Sequence, residues 1–453
     1  KTGRMHRFAI IVASRALLAL LFAIGASGSA RAAAWLVVSD VHYDPFGSAS
    51  VPSTFGEDTN PALLDAALNA MRNVDPDPPV VIVAGDMLAH HLDPKAAVPA
   101  MRYLARRFEQ TYPKAQFILA LGNNDSQCGD YRSEANAPFR RETAAAWEPL
   151  VNRRGAAPTF RNGFAQRGAY VARLPGPRLR AIVIDDVVWS WRYRACGRPR
   201  VNPGTDQLRW LTRTLRATPA NTNNWLIAHI PPGIDPYSTR YVHGLAVIPF
   251  LSRESTQRFL RLLDDPSNRV RLLVTGHSHK FSFRLSDASG PDRDVPMLLA
   301  PSISPVYANN PSFLTLQADA SGNVGDVAET SLVDGTARTT FDLHDDFGVD
   351  GFTSHNLERV QRRLENDPLL QARFARAYDG DANPPTITAT NFRAYWCSAT
   401  VLEKTPYRAC AGAATGGQTI RRTAVLVAIV AATLLLFIIA TRVRRSRSST
   451  SSE

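Results

Sequence analysis

Five short apolar runs punctuate the chain, and each stops at a polar cluster. Trp35-Leu36-Val37-Val38 runs into Ser39-Asp40-Val41-His42, and Val80-Val81-Ile82-Val83-Ala84 runs into Gly85-Asp86. Phe117-Ile118-Leu119-Ala120-Leu121 ends in Gly122-Asn123-Asn124-Asp125, Trp225-Leu226-Ile227-Ala228 in His229, and 270–275 in Gly276-His277-Ser278-His279. β-Branched runs of this length, bounded by glycine and polar residues, predict buried parallel strands. Helical spacing over 61–72, 94–112, 134–151, 205–215 and 252–263 supplies the crossovers that parallel strands need. Residues 170–174 and 179–184 read as paired strands. From 281 to 327 the pattern changes to short strands with Pro and Gly turns, which predicts a second sheet, and 355–420 reads as Pro-interrupted helix.

The ends of the chain differ from its middle. Residues 1–34 combine a basic start, an apolar stretch at 16–24 and small residues at 30–34, the pattern of a secretory signal peptide. Residues 423–441 are apolar over a membrane-spanning length, and Arg442, Arg444, Arg445 and Arg447 follow. The expected organisation is a signal peptide (1–34), a catalytic domain (35–330), a helical C-terminal extension (331–410), a linker (411–422), a transmembrane helix (423–441) and a basic cytoplasmic tail (442–453). The formal charge of +12 comes from the two ends, since residues 35–420 hold 41 basic and 39 acidic residues. No nucleic-acid partner is expected. The four cysteines suit an oxidising compartment. They lack C-x-x-C spacing, and their three possible pairings stay open; Cys397 with Cys410 and Cys128 with Cys196 is one of them. The lone N-x-[ST] sequon, at Asn124, turns the expectation toward a periplasmic or bacterial cell-surface protein, with a lysosome or vacuole as the alternative.

The polar clusters carry the candidate chemistry. Asp40, His42, Asp86, Asn123, His229, His277 and His279 are two carboxylates, one amide oxygen and four imidazoles. Borderline divalent metals take donors of this kind. Seven donors with one shared carboxylate suit two ions about 3.5–4 Å apart, the arrangement that activates water for in-line attack on a phosphate ester. The chain holds 10 His, and six of them fall in or beside these clusters, which argues against chance.

The order D-x-H, G-D, G-N-x-[DE], an apolar run into His, then G-H-x-H resembles the calcineurin-like metallophosphoesterase superfamily over residues 35–280. Gly85-Asp86-Met87-Leu88-Ala89-His90 and the stretches 300–305 and 309–313 are similar to the acid sphingomyelinase-like phosphodiesterases, more loosely as far as Cys397–Cys410. The resemblance implies an α/β fold, a four-layer α/β/β/α sandwich of two mixed sheets flanked by helices, to which the apolar run at 423–441 adds the expected C-terminal transmembrane helix. It implies that Asp40, His42 and His279 hold one ion, that Asn123, His229 and His277 hold the other, and that Asp86 bridges. Zinc is expected, with manganese or iron as alternatives.

Two features depart from that family. Its usual motif is G-N-H-[DE], and here Asn124 stands where the His assists catalysis. An amide donates a hydrogen bond but is no general acid. His90 is then the candidate acid, and a phosphate leaving group, which needs protonation less, becomes attractive. Some endopolyphosphatases are similar in having G-N-N-D. The family's six-cysteine saposin-like module is also not seen ahead of D-x-H. The expectation is an exported, membrane-anchored, monomeric di-metal phosphodiesterase. The alternatives are an endopolyphosphatase or nucleotide phosphoanhydride hydrolase, and a non-catalytic binding module. Among weaker candidates, Asp125 is expected to cap its turn; Tyr237, Arg240 and His243 could touch substrate; and Arg192, Arg194 and Arg198 could form an anion-attracting rim.

Overall fold

A computed structural model describes residues 34–133, 138–197, 201–241, 246–286 and 295–412. In chain order the strands are β1 (Trp35–Val38), β2 (Val80–Val83), β3 (Gln116–Leu119), β4 (Arg132–Ser133), β5 (Tyr170–Arg173), β6 (Leu179–Val183) and β7 (Arg194–Ala195). They continue as β8 (Asn223–Ile227), β9 (Val270–Thr275), β10 (Ser282–Leu285), β11 (Pro296–Leu299), β12 (Ser312–Ala318), β13 (Val324–Val333) and β14 (Thr336–Asp342).

Twelve of these strands form two six-stranded mixed sheets, in the orders β14-β13-β12-β1-β2-β3 and β10-β11-β9-β8-β6-β5. The parallel centre of the first is β1-β2-β3, and that of the second is β11-β9-β8-β6. Antiparallel strands flank the second on both sides, β10 and β5, but the first on one side only, where β12, β13 and β14 follow β1 and β3 is left as a parallel edge. The five motif-bearing strands are therefore divided between two sheets, where one largely parallel sheet followed by a second was expected. The second sheet already begins at β5 and β6, and β12 returns to pair with β1. The boundary at 330 also moves, because β13 and β14 extend the first sheet to Asp342, a stretch read as helical from its sequence.

The layers follow from alternation along the strands. In β6 and β8, Ala181, Val183, Trp225 and Ile227 join the core shared with the first sheet. Their neighbours Ile182, Leu226 and Ala228 join a separate core with Leu211, Leu215, Phe259 and Leu263 of the helices Pro203–Arg216 and Arg253–Asp264. Trp35 of β1 meets Trp225 of β8 at 4.9 Å between rings, so the sheets pack face to face. The helices Pro61–Val74 and Pro94–Thr111 join the shared core through Leu64, Leu68, Met101 and Leu104. Each begins at a polar cap followed by proline, Asn60-Pro61 and Asp93-Pro94, which satisfies a first-turn N–H and stops the preceding loop.

Helices at 354–364, 368–378, 392–398 and 404–412 make up the C-terminal extension. Its Cys397 and Tyr407 pack with Ile234 and Val247. Disulfides join Cys397 to Cys410 and Cys128 to Cys196. Among the described residues no helix is long and apolar enough to cross a membrane. The expected signal peptide and the 423–441 span lie outside the described residues.

Candidate metal centre

All five motifs meet where the parallel strands end. Beyond β1 and β2 the chains stay in register: the Asp40 N–H donates to Gly85 O at 3.0 Å, and the His42 N–H donates to Asp86 O at 3.0 Å. The second sheet is tied in by His229, whose Nδ1 lies 2.7 Å from Ala84 O. The His277 N–H donates to Asp40 Oδ2 at 2.9 Å. Asp40, His42, Asp86, His277 and His279 all have positive φ, between 44° and 69°. Non-glycine residues rarely adopt this conformation, and it clusters at functional sites. Here it turns the polar ends of three strands, β1, β2 and β9, inward onto one point.

The expected ligands converge as two groups. In one, the His42 and His279 Nε2 atoms are 3.1 Å apart, and Asp40 Oδ1 lies 3.7 and 3.3 Å from them. In the other, His229 Nε2 lies 3.1 Å from Asn123 Oδ1, 3.3 Å from His277 Nδ1 and 3.3 Å from Asp86 Oδ2. Asp86 Oδ2 is also 3.5 Å from His42 Nε2, so this carboxylate stands between the groups. Asp40, His42 and His279, and separately Asp86, His229 and His277, have donor atoms close enough to share an ion.

Hydrogen bonding leaves this cluster incomplete without a cation. Asp40 Oδ1 is buried and has no hydrogen-bond partner among the described residues. A buried carboxylate oxygen in that condition is costly unless it coordinates something. His42 and His229 direct Nδ1 at the Leu88 and Ala84 carbonyls, so their Nε2 atoms face the other donors. In the bare cluster, protons supply the positive charge. Burial pushes His42 and His229 down, but Asp40 and Asp86 outweigh it and raise them to about 9 and about 10. His277 is pulled down to about 3 by burial and the His229 charge. Burial pushes Asp86 up, but His229 and His42 hold it well below the usual carboxylate range. This donor set fits two borderline divalent ions, which would take the place of those protons.

Several supporting residues, all but Asp125 outside the motifs, brace the cluster. Asp125 caps its turn as expected, accepting from Gly122 N at 2.8 Å, and it also accepts from Met87 N at 2.8 Å and Leu88 N at 3.1 Å. It thereby joins the Asp86 and Asn123 loops. Asp186 accepts from the N–H groups of His229 and Ile230, which aims the His229 loop. Asp130 orients the Asn123 amide at 2.8 Å, and Tyr131 Oη lies 3.2 Å from His277 Nε2. Asp58 holds His90 twice, by its main-chain N–H at 2.7 Å and its Nδ1 at 2.8 Å. Burial raises Asp125 and Asp186 to about 7, helped at Asp125 by the Asp86 charge.

A cavity of about 280 Å³ opens over the cluster, with His90, Tyr131, Tyr237 and Tyr307 on its walls and Tyr378 and Ser398 from the C-terminal extension. His90 stacks on His42 at 4.2 Å between rings. Asn124 also reaches the cavity, but its amide is turned onto Asp86. Of the weaker candidates, Tyr237 and Arg192 line the cavity. Arg194 is exposed and bonds the carbonyls of Arg192 and Tyr193. His243, Arg198 and the Arg240 side chain lie outside the described residues.

Comparison with known proteins agrees with this arrangement. The family described as calcineurin-like phosphoesterase matches residues 35–281. A sphingomyelinase phosphodiesterase D of Dictyostelium discoideum is 30% identical over 285 residues, covering 60% of each chain. The human acid sphingomyelinase-like phosphodiesterase 3b is 23% identical over 404 residues, 79% of this chain and 86% of that one. A cyclic GMP-AMP phosphodiesterase of Rattus norvegicus is 24% identical over 313 residues, 62% of this chain and 67% of that one. The chain thus spans 60% of the length of the Dictyostelium relative.

Proposed function

This chain belongs to the calcineurin-like phosphoesterase family, and from that premise we propose that it is a di-metal hydrolase of phosphodiesters. Asp40, His42 and His279 would hold one ion, Asn123, His229 and His277 would hold the other, and Asp86, which stands between the groups, would serve both. Zinc is the favoured metal. The observation that carries the reading is the buried Asp40 Oδ1, which has no hydrogen-bond partner among the described residues and faces three imidazole Nε2 atoms within 3.3–4.0 Å. Bound divalent ions neutralise phosphoryl oxygens and make a water nucleophilic at neutral pH.

The protein's own groups do the rest. Asn124 and Asp125 fix the Asp86 turn, and Asp186 fixes His229. His90, with Nδ1 on Asp58, offers its remaining ring nitrogen as the proton donor to the leaving oxygen. The cavity, walled by tyrosines, takes the ester groups. The test is metal content and hydrolysis of bis-p-nitrophenyl phosphate by chain purified without chelator, with Asp86→Asn as blank. Metal-free protein that stays inactive after zinc or manganese is added sinks the reading in favour of a binding module.

A second reading, phosphoanhydride hydrolysis, is favoured by Asn124, whose side chain is committed to Asp86. ATP and polyphosphate offered beside sphingomyelin separate the two. We also propose that the catalytic domain is exported and anchored by residues 423–441. The two disulfides, which use all four cysteines, support an oxidising compartment. Protease digestion of spheroplasts, which lack the outer barrier, should remove the domain, and its full protection there would refute the export.

A further inference from the structure

The cavity above the metal cluster has three cations on its wall, Lys280, Arg284 and Arg192. Two of them are already committed. Lys280 Nζ donates to Tyr307 O at 3.0 Å and to Thr386 Oγ1 at 3.2 Å. Arg284 donates through both terminal nitrogens, at 2.6 Å each, to Pro232 O and Ile234 O. Both are buried and serve to hold loops.

Arg192 differs. Its guanidinium carbon lies over the Tyr131 ring, 4.2 Å from the centroid, and Nη2 is 3.7 Å from Asp130 Oδ2. Neither contact is a hydrogen bond, and among the described residues none is made by its guanidinium nitrogens. The side chain is 52% exposed. A planar fork with free donors, held by a ring beneath it, suits bidentate recognition of a phosphate.

Its place is tied to the metal cluster. The ring beneath it belongs to Tyr131, whose hydroxyl meets His277. The carboxylate beside it belongs to Asp130, whose other oxygen orients Asn123. The Arg192 loop is paired to that segment by β4 and β7 and cross-linked by Cys128–Cys196. The fork is thus fixed relative to two donors of the second ion group, His277 and Asn123.

We propose that Arg192 anchors a second phosphate of the substrate, the one adjoining the phosphorus under attack, and so sets a preference for substrates with consecutive phosphates over those with a zwitterionic head group. The proposal rests on the di-metal hydrolase reading for the position of the reacting phosphorus. Sphingomyelin carries a choline cation where this subsite offers a guanidinium, whereas a nucleoside diphosphate or polyphosphate carries a matching anion.

The test is calorimetric binding to the full, metal-loaded chain of AMP and of α,β-methylene-ADP, which adds one phosphate and is not hydrolysed. Wild-type protein should bind the second more tightly. Arg192→Gln should reduce the ratio of the two affinities by about tenfold, the scale of a lost charge-assisted pair of hydrogen bonds. Arg192→Lys should fall between, keeping the charge and losing the fork. An unchanged ratio in Arg192→Gln, or no preference in the wild type, overturns the proposal. Binding is read without turnover, so an inactive protein counts against the hydrolase reading and leaves the Arg192 result intact.

Discussion

Asn124 grips both oxygens of Asp86: its main-chain N–H donates to Oδ1 at 2.8 Å and its side-chain Nδ2 donates to Oδ2 at 2.9 Å. The residue that departs from the family's usual histidine therefore acts on the shared carboxylate. Partners that orient a ligand typically alter metal affinity about 10–100-fold when removed. Asn124→Ala is expected to weaken zinc binding by that factor, measured by competition with a chromophoric chelator. Wild-type affinity in the variant would show that Asp86 is positioned without it.

Metal binding should release protons. His42 and His229, raised to about 9 and about 10 by Asp40 and Asp86, hold protons at pH 7 that an ion must displace. Zinc titration in buffers of different ionisation enthalpy should report about two protons released at pH 7. The linked stability has a definite sign. Histidines with a raised folded-state pKa stabilise fully below the unfolded value of about 6.5, and that contribution is lost as pH climbs through 9 and 10. Thermal melts of metal-free protein should fall between pH 7 and 10, and zinc should flatten the decline. A flat metal-free profile would contradict the assigned charges.

The sequence announces the site more clearly than the architecture around it. Strand ends such as Val83-Ala84-Gly85-Asp86 are legible because an apolar run must be buried, and a carboxylate at its end must then find a partner. Division into two sheets is not legible, because β1 takes as its other neighbour β12, from the far end of the catalytic region, and local periodicity carries no record of that pairing. Asp58, which follows Glu57, Asp130, and Asp186, which follows Asp185, carry no spacing that distinguishes them from ordinary caps. Only the fold brings them onto His90, Asn123 and His229. The cysteine pairing was likewise one of three until the loops bearing Cys128 and Cys196 lay together.

Gly122 offers a structural test of Asp86. A Cβ at this position would run into the Asp86 carboxylate and its main-chain nitrogen. Overpacking of this kind costs roughly 1–3 kcal/mol. Gly122→Ala should lower the melting temperature of metal-free protein by a few degrees and reduce zinc stoichiometry below two per chain. A variant with full metal and a wild-type melt would mean that Asp86 has room to move.

His90 and Asp58 test how the leaving group departs. Asp58 takes both the main-chain N–H and Nδ1 of His90, a cavity-lining residue, and among the described residues no hydrogen bond engages the other ring nitrogen. An alkoxide leaving group needs a proton, whereas p-nitrophenolate and phosphate need one much less. His90→Gln should therefore lower turnover of alkyl phosphodiesters about 10²-fold, the usual worth of a placed acid, and that of p-nitrophenyl esters far less. Asp58→Asn keeps the shape and should give the same selective loss on a smaller scale, because the ring loses its orienting charge. Paired kcat measurements on the two ester classes decide the matter. Equal losses on both would make His90 a packing partner of His42, and the proton donor would have to be sought among Tyr131, Tyr237 and Tyr307, which line the same cavity.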